Sequence, residues 1–174
     1  MSKSFSTRPS KLAIDEYFEV CNLLYEEAAS IDEQRWADWL ALYTDDAVFW
    51  VPSWDQEHQL TTDPLNDVSL IYIEGKETLS DRIWRFSSGD SPASTPLPRT
   101  SHIVGNITVT EFTESQTVVT SRWHCQVHRF KDTWSYAGRY EHRLQRNSKG
   151  LQISRKYVVL TNSVINTALD IYHV

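Results

Sequence analysis

The feature that most constrains the fold is a change of pattern near Arg99. Beyond it the chain holds four long segments rich in Val, Ile, Thr and aromatic residues, over 102–112, 116–130, 133–146 and 151–161. Such residues favour strands, and the polar breaks between the segments are short enough for hairpins. The pattern therefore predicts four consecutive antiparallel strands in the second half of the chain.

Before Arg99 the apolar residues recur at helical spacing. They lie three and four positions apart over 14–28, and again over 76–86, so both segments are predicted to be helices. Between these helices, short strands are predicted at 48–51 and 69–73, with irregular chain at 53–68. Irregular chain is predicted again at 87–98, after the helix over 76–86.

A further helix is predicted directly after the first one. Ser30 and Glu33 have the spacing of a capping box, in which each residue satisfies a backbone amide near the other. We expect the new helix to carry an apolar stripe, formed by Trp36, Trp39, Leu40 and Tyr43. Asp45 and Asp46 are predicted to end this helix as a solvated pair.

Helices followed by an antiparallel meander indicate an α+β fold, with the N-terminal helices packed on a strongly curved antiparallel sheet. A length of 174 residues suits one domain. We expect a flexible N-terminal tail over 1–10 and a single domain over 11–174.

Charge and hydropathy exclude several kinds of partner. A net charge of −6 and a pI near 5.5 argue against nucleic acid and against a polybasic membrane contact. We find neither a signal-like leading apolar run nor a stretch of roughly 20 apolar residues that could cross a bilayer. We therefore expect a cytoplasmic protein, with both cysteines, Cys21 and Cys125, in the reduced form.

No metal site is expected on this chain. His124 and His128 are four residues apart on a predicted strand, which places them roughly 13 Å apart. That separation is too large for one ion, since zinc binds imidazole nitrogen at about 2.1 Å. Cys125 and His128 have the spacing of half a Rieske ligand set, but the Cys-x-His half is missing, because Cys21 precedes Asn22 and Leu23.

We also predict no catalytic residues. His58 and His102 flank the irregular region and are possible general bases, with simple hydrogen bonding as the alternative role. The chain contains neither a Gly-x-Ser-x-Gly turn nor a glycine-rich phosphate loop.

Several motifs, however, resemble those of one family. They are Trp36-x-x-Trp39-Leu40 leading to Asp46 and Trp50-Val51-Pro52, Asp81-Arg82-x-x-Arg85, Pro98-Arg99-Thr100-x-His102 with Asn106, Gly138-Arg139, and Ser154-Arg155-Lys156. From about Ile14 onward the chain resembles the small (β) subunit of aromatic-ring-hydroxylating dioxygenases, which are Rieske non-haem iron oxygenases.

Two further segments resemble the anthranilate dioxygenase and salicylate 5-hydroxylase branch. They are Trp54-Asp55-x-Glu57-His58-x-x-Thr61-Thr62-Asp63-Pro64 and Asn162-x-x-Ile165-Asn166-x-x-Leu169-Asp170-x-Tyr172-His173. The resemblance does not identify the substrate, because substrate contacts would belong mainly to the larger subunit.

The resemblance implies a cystatin-like (nuclear transport factor 2-like) cone, which scytalone dehydratase and ketosteroid isomerase share. It implies a non-catalytic structural β subunit of an oxygenase that hydroxylates an anthranilate-, salicylate- or benzoate-like acid. The partner would be a larger α subunit in an α3β3 assembly with other β subunits. The α subunit would carry the Rieske 2Fe–2S cluster and a mononuclear Fe(II), and a reductase would supply electrons from NADH.

Two alternatives remain open. A free-standing isomerase or dehydratase of the same fold would need a carboxylate or histidine deep in the cone, opposite a hydrogen-bond donor. The candidates for such a site are Asp45, Asp46, His102 and Tyr140. The second alternative is a homo-oligomeric protein that binds a small molecule.

Subunit contacts are expected from four residues, Trp54, Arg82, Arg85 and Arg99. Trp and Arg are the residue types most often found as interface anchors, and Arg binds a carboxylate with two donors at once. The alternative for the two helical arginines is pairing with Asp81 or Glu77 on their own helix.

Overall fold

The computed structural model describes residues 12–56, 58–89, 91–92, 94–165 and 167–174, except for the side chain of Gln56. The elements in chain order are α1 (Ile14–Asp32), α2 (Trp36–Ala41), β1 (Tyr43–Pro52), β2 (Trp54–Gln56), β3 (Gln59–Leu60), β4 (Ser69–Glu74), α3 (Lys76–Ser87), β5 (Arg99–Phe112), β6 (Gln116–Arg129), β7 (Asp132–Asn147), β8 (Gly150–Leu160) and a 3-10 helix (Ile171–His173). The predicted tail over 1–10 lies outside the described residues, so the limits of tail and domain stay predictions.

The four long strands form the predicted meander, in which β5, β6, β7 and β8 pair antiparallel in chain order. The sheet then continues through β1 to β4, in the order β4-β1-β8-β7-β6-β5. β1 runs parallel to β8 and antiparallel to β4, so the sheet is mixed and not wholly antiparallel as predicted. A parallel pair is possible here because a long stretch of chain, and no tight hairpin, joins β1 to β8.

The sheet has an inner face covered by helices and an outer face. α1 packs against β5 and β8, and α3 packs against β1 and β4. Along β6 the odd-numbered residues from Thr117 to Val127 are buried, whereas Arg122, His124 and Gln126 are exposed on the outer face. Pairing shifts register between Gly105 and Thr108 of β5, and such irregularities increase the bend of a sheet.

The predicted capping box at Ser30 is wrong. Ser30 lies inside α1, where its hydroxyl donates to Glu26 Oε1 at 3.2 Å. The helix continues to Asp32 because its apolar stripe continues, with Ala28 and Ile31 buried in the core. α2 begins only at Trp36, after Arg35.

The predicted extent of the second helix is also wrong. α2 ends at Ala41, and Tyr43 already belongs to β1, opposite Ile153 of β8. The Tyr43 hydroxyl donates to the buried Glu27 carboxylate at 2.8 Å, which draws this side chain into the core. Asp45 and Asp46 are exposed as expected, but they lie within β1 and do not end a helix.

The strand predicted at 69–73 and the helix predicted at 76–86 agree closely with the structure, whereas the strand predicted at 48–51 is part of the longer β1. α3 covers Lys76–Ser87, close to the predicted 76–86. The predicted loop over 53–68 contains a small hairpin, because β2 pairs antiparallel with β3. Within the described parts of the chain, we find no helix that is both long enough and apolar enough to cross a membrane.

Candidate functional site

A buried ion pair lies between α1 and the inner face of the sheet. Lys156 of β8 donates to Glu27 Oε1 of α1 at 2.7 Å, and both side chains are buried. The same oxygen accepts hydrogen bonds from Trp39 Nε1 at 3.1 Å and from the Tyr43 hydroxyl at 2.8 Å. Lys156 also donates to the carbonyl of Val174 at 3.3 Å. The charges of the interior are therefore engaged by groups of the chain itself.

The environment of this pair determines its protonation. Burial acts to raise the pKa of Glu27, but the attraction of Lys156 and the hydrogen bonds outweigh burial and hold that pKa below 4.5. Burial raises the pKa of Tyr43 and of Tyr140, so both phenols keep their protons. Burial also lowers the pKa of His142 to about 4, which keeps its imidazole neutral at physiological pH.

The segment from Asp170 to Val174, which we call the C-terminal plug, packs between α3 and β7. Ile171, Tyr172, His173 and Val174 are all buried. The Tyr172 ring lies 5.1 Å from the ring of Phe86 in α3, and the His173 ring lies 5.5 Å from that of Tyr136 in β7. Arg82 of α3 donates to Asp170 Oδ1 at 2.9 Å and so holds the start of the plug.

His102, a candidate general base, is bound to the end of α1. Its Nδ1 lies 2.6 Å from Asp32 Oδ1, and its backbone N–H donates to Asp32 Oδ2 at 2.7 Å. Thr100 also donates to Asp32, at 2.8 Å. Burial acts to raise the pKa of Asp32, but the bonds from His102 and Thr100 outweigh it and lower that pKa. The arrangement ties the start of β5 to α1.

The four candidates for an interior active site do not converge. Asp45 and Asp46 are exposed on β1, whereas His102 and Tyr140 are turned inward. The Tyr140 ring is stacked on Trp123, with centroids 5.1 Å apart, and is packed under the Lys156 ammonium group. The described residues therefore give the free-standing isomerase or dehydratase no assembled site.

The candidate metal ligands are also dispersed. His124 is exposed on the outer face of β6, and His128 hydrogen-bonds to Thr133. Cys125 points inward, and burial raises the pKa of its thiol to about 12. Cys21 is buried on α1. Among the residues that the structure describes, no three His, Cys, Asp or Glu side chains are grouped to hold a metal ion.

The four predicted interface residues lie on three different elements. Trp54 is on β2, where the residue is 38% exposed and its Nε1–H donates to the Leu160 carbonyl at 2.8 Å. Arg85 is exposed on α3, and Arg99 is exposed at the start of β5. Arg82 pairs with Asp170. In the described structure, neither Arg82 nor Arg85 forms an ion pair with Asp81 or Glu77 of their own helix.

Three groups of functional interest were missed in the sequence, although each left a signal. Glu27 continues the stripe of Leu23, Leu24 and Ile31 on α1, so its burial follows from helical spacing. Lys156 alternates with Val158 and Leu160, which places it on the inner face of β8. The third group, Arg122 and Arg139, is opposed across β6 and β7, and only the strand register shows that.

The fold and these sites define a class of protein: an α+β domain whose buried ion pair is satisfied by its own side chains, with Arg85 and Arg99 exposed at its surface. Residues 26–167 match the family described as the ring hydroxylating beta subunit. The small subunit of 2-halobenzoate 1,2-dioxygenase from Burkholderia cepacia is 40% identical over 158 residues, covering 91% of this chain and 96% of that protein. The small subunit of anthranilate 1,2-dioxygenase from Acinetobacter baylyi is 30% identical over 163 residues, covering 94% and 100%.

Solved structures agree with the sequence relatives. The β subunit of benzoate 1,2-dioxygenase from Burkholderia mallei superposes with a TM-score of 0.76 at 32% identity, covering 95% of this chain and 100% of that one. A protein with a cystatin-like fold from Nostoc punctiforme superposes with a TM-score of 0.62 at 10% identity, covering 88% and 96%, which bears on the fold alone.

The chain belongs to the family of ring-hydroxylating dioxygenase β subunits, as its motifs predicted. The predicted cystatin-like α+β fold is confirmed as well. The protein is therefore a component of an oxidoreductase, and its family implies a partner α subunit.

Proposed function

We propose that this chain is the non-catalytic structural β subunit of a cytoplasmic oxygenase that hydroxylates an aromatic acid in aromatic catabolism. The relatives named for 2-halobenzoate, benzoate and anthranilate support an aromatic acid as the substrate class of the assembled enzyme. The observation that carries the structural role is that the buried charges of the interior pair with each other. Glu27 and Lys156 form an ion pair there, and Lys156 also donates to the Val174 carbonyl of the C-terminal plug.

The redox groups belong, in this proposal, to the partner α subunit of an α3β3 assembly. A Rieske 2Fe–2S cluster and a mononuclear Fe(II) on that subunit would supply electron transfer and oxygen chemistry, with electrons from NADH through a reductase. The residues of this chain do not fit either group. Cys21 and Cys125 are buried on α1 and β6, and His124 projects from the opposite face of β6 to Cys125.

The contribution of this chain would be to hold the α subunits in place. Trp54, Arg82, Arg85 and Arg99 remain the proposed contacts. The Arg85 and Arg99 guanidinium groups have no hydrogen bond or ion pair with another described residue, which leaves their donors for a partner. Arg82 already has Asp170, so any partner contact would be additional to that pair.

Reconstitution with the α subunit tests this proposal. Alanine at Trp54, Arg85 or Arg99 should weaken association with the α subunit or among β subunits, because each removes an anchor of the type that dominates interfaces. The melting temperature of each isolated variant should stay within a few degrees of the unchanged chain. Lys149→Ala, in the exposed turn between β7 and β8, is the matched control. Unchanged assembly for all the alanine variants, with Arg82→Ala included, would show that the interface lies elsewhere.

Elemental analysis tests the absence of cofactors from this chain. Protein purified without an affinity tag should retain no stoichiometric iron or zinc after dialysis, because its cysteines and histidines are dispersed. Stoichiometric metal that survives dialysis would contradict the assignment of the metal centres to the partner.

A further inference from the structure

A concave pocket lies on the outer face of the sheet, beside β2. It has a volume of about 710 Å³, and we call it the outer-face pocket; its lining residues are Trp54, Asp55, Arg122, Arg139, Val159, Thr161 and Ser163. Its floor is formed by neighbouring strands, since Arg122 of β6 is opposite Arg139 of β7, and Arg139 is opposite Val159 of β8. The pocket is therefore built on the most regular part of the sheet.

Two like charges are placed side by side in this pocket. Directly opposed residues of an antiparallel pair have Cβ atoms about 5 Å apart, and like charges in that arrangement destabilise the sheet. Within the described parts of the chain, neither the Arg122 nor the Arg139 side chain has a hydrogen bond, an ion pair or a ring contact. No ion pair with a described residue therefore offsets their repulsion.

A second pair of arginines on the same face shows the contrast. Arg143 and Arg155 are also directly opposed, on β7 and β8. The Arg155 guanidinium lies over the rings of Trp50 and Tyr157, at 5.4 and 5.3 Å from their centroids. Arg143 Nε lies 4.0 Å from the Glu141 carboxylate. This second pair has ring and ion-pair partners, whereas the Arg122–Arg139 pair has neither among the described residues.

The rest of the outer-face pocket suits a carboxylate on an apolar stem. The Trp54 ring is fixed by its hydrogen bond to Leu160, and Val159 adds apolar surface. The hydroxyl groups of Thr161 and Ser163 add hydrogen-bond donors. Asp55 also lines the pocket, so two guanidinium groups face one carboxylate, and the net charge is positive. Arginine is the side chain best suited to hold a carboxylate with parallel hydrogen bonds.

We infer that the outer-face pocket receives an Asp or Glu side chain of the α subunit, held between Arg122 and Arg139. This inference rests on the proposed function, because it assumes the α subunit as partner. The excess of positive charge among the described lining residues is complementary to an acidic side chain. Two copies of this chain would each bring a net charge of −6, and that mutual repulsion disfavours a second copy as the occupant.

Charge reversal at the pair tests the inference in the assembled oxygenase. The double variant Arg122→Glu/Arg139→Glu should bind the α subunit at least about thirtyfold more weakly, because it places carboxylates against the partner's carboxylate. The control is Lys131→Glu/Lys149→Glu, which makes the same change of charge in two exposed turns outside the pocket. Asp55→Asn should strengthen binding, since it removes the only negative charge among the described lining residues. Circular dichroism and thermal melting of each isolated variant confirm that the fold is kept.

Cross-linking identifies the source of the carboxylate. In the Arg139→Lys variant, a carbodiimide joins the new amine to any carboxylate that it contacts. Mass spectrometry should then find a cross-link from position 139 to an Asp or Glu of the α subunit. The inference would be overturned by a cross-link to a second copy of this chain, or by Arg-dependent binding of benzoate to the isolated chain with assembly unaffected.

Failure of this inference can be distinguished from failure of the proposed function. If the double Arg variant assembles with unchanged affinity while the unchanged chain assembles normally, the inference is wrong and the proposed function stands. If the unchanged chain does not associate with the α subunit at all, both are wrong.

Discussion

At the scale of single residues, the ion pair of Glu27 and Lys156 is the most deeply buried charge pair in the described structure. The two residues are 129 positions apart, and each is fully or almost fully buried. Removing two charges from water costs several kcal/mol per ion, and mutual attraction offsets that cost only when the remaining hydrogen bonds are made. Here the Glu27 oxygen accepts three hydrogen bonds, so loss of one partner would leave a buried charge behind.

We predict that Lys156→Met lowers the free energy of unfolding by about 3–5 kcal/mol, because it leaves the Glu27 carboxylate uncompensated. The double variant Glu27→Gln/Lys156→Met should recover much of that loss, since the amide oxygen still accepts from Trp39 and Tyr43. Urea denaturation measures the free energy of unfolding of four proteins: the unchanged chain, Glu27→Gln, Lys156→Met and the double variant. Together these values form a double-mutant cycle. Equal stability of Lys156→Met and the double variant would contradict the prediction.

His142 makes stability depend on pH. The unfolded imidazole binds a proton near pH 6.5, whereas burial lowers the pKa of the folded side chain to about 4. The unfolded state thus binds more protons between these values, and stability falls as pH decreases from about 6.5 towards 4. At pH 5 this one group should account for about 2 kcal/mol of lost stability.

We therefore predict that His142→Leu reduces the stability lost between pH 7.5 and pH 5 by about 2 kcal/mol. Urea midpoints at the two pH values measure this difference. The remaining dependence should include His173, since burial lowers its pKa to about 3, which acts in the same direction. Val119→Ala, a core truncation without a titratable group, is the control and should lower stability equally at both pH values. An unchanged pH dependence in His142→Leu would show that this imidazole is not buried neutral.

At the scale of elements, the C-terminal plug depends on one ion pair to α3. Asp170 is 4% exposed, and Arg82 is its cationic partner at 2.9 Å. We predict that Arg82→Ala destabilises the isolated chain by about 2 kcal/mol, because the buried carboxylate loses a charged hydrogen bond. Amide hydrogen exchange should increase in residues 170–174.

The matched control for the plug is Arg85→Ala, one turn along the same helix. Arg85 is exposed and has no ion pair in the described structure, so its loss should change the stability of the isolated chain by less than about 0.5 kcal/mol. If both variants are equally stable, Arg82 does not hold the plug.

The elements also show which parts of the fold were predictable. The strands from β5 to β8 were found because their hairpins join neighbours in the chain, so composition and short breaks define them locally. The end of α1 and the start of β1 depend on distant contacts. Ser30 has good local capping chemistry but stays within a continuing apolar stripe, and Tyr43 is drawn into the sheet by Glu27 and Ile153. Local patterns do not contain these contacts.

The candidate site was predictable to a smaller extent, for the same reason. Trp54 was selected as a candidate contact from its residue type, and the structure places it in the lining of the outer-face pocket. Arg122 and Arg139 were not predicted, because they become neighbours only through the pairing register of β6 and β7. Arg82 was found as an arginine on a helix, whereas its partner Asp170 lies 88 positions away.

At the scale of the whole molecule, the charges fall into two groups. The buried charges are paired within the chain, whereas several surface arginines have no ion pair with a described residue. The interior ion pair is satisfied within the chain, whereas Arg85, Arg99, Arg122 and Arg139 have no ion pair with a described residue and lie at the surface. Such a distribution suits a chain that acts through contact with another protein. The residue on which a catalytic role of this chain is best tested is His102.

We predict that His102→Gln leaves the turnover of the assembled oxygenase within about tenfold of the unchanged enzyme, a barrier change near 1.4 kcal/mol. The His102 side chain is 1% exposed and engaged with Asp32, so its role is to join β5 to α1. The isolated variant should lose about 2 kcal/mol of stability, because the partly buried Asp32 loses a hydrogen-bond partner. His58→Gln, His124→Gln and His128→Gln should leave turnover within the same limit. Saturating kcat measurements on complexes verified by size-exclusion chromatography provide the comparison. A loss of about a thousandfold with assembly intact, equivalent to roughly 4 kcal/mol, would place His102 in a step of the reaction.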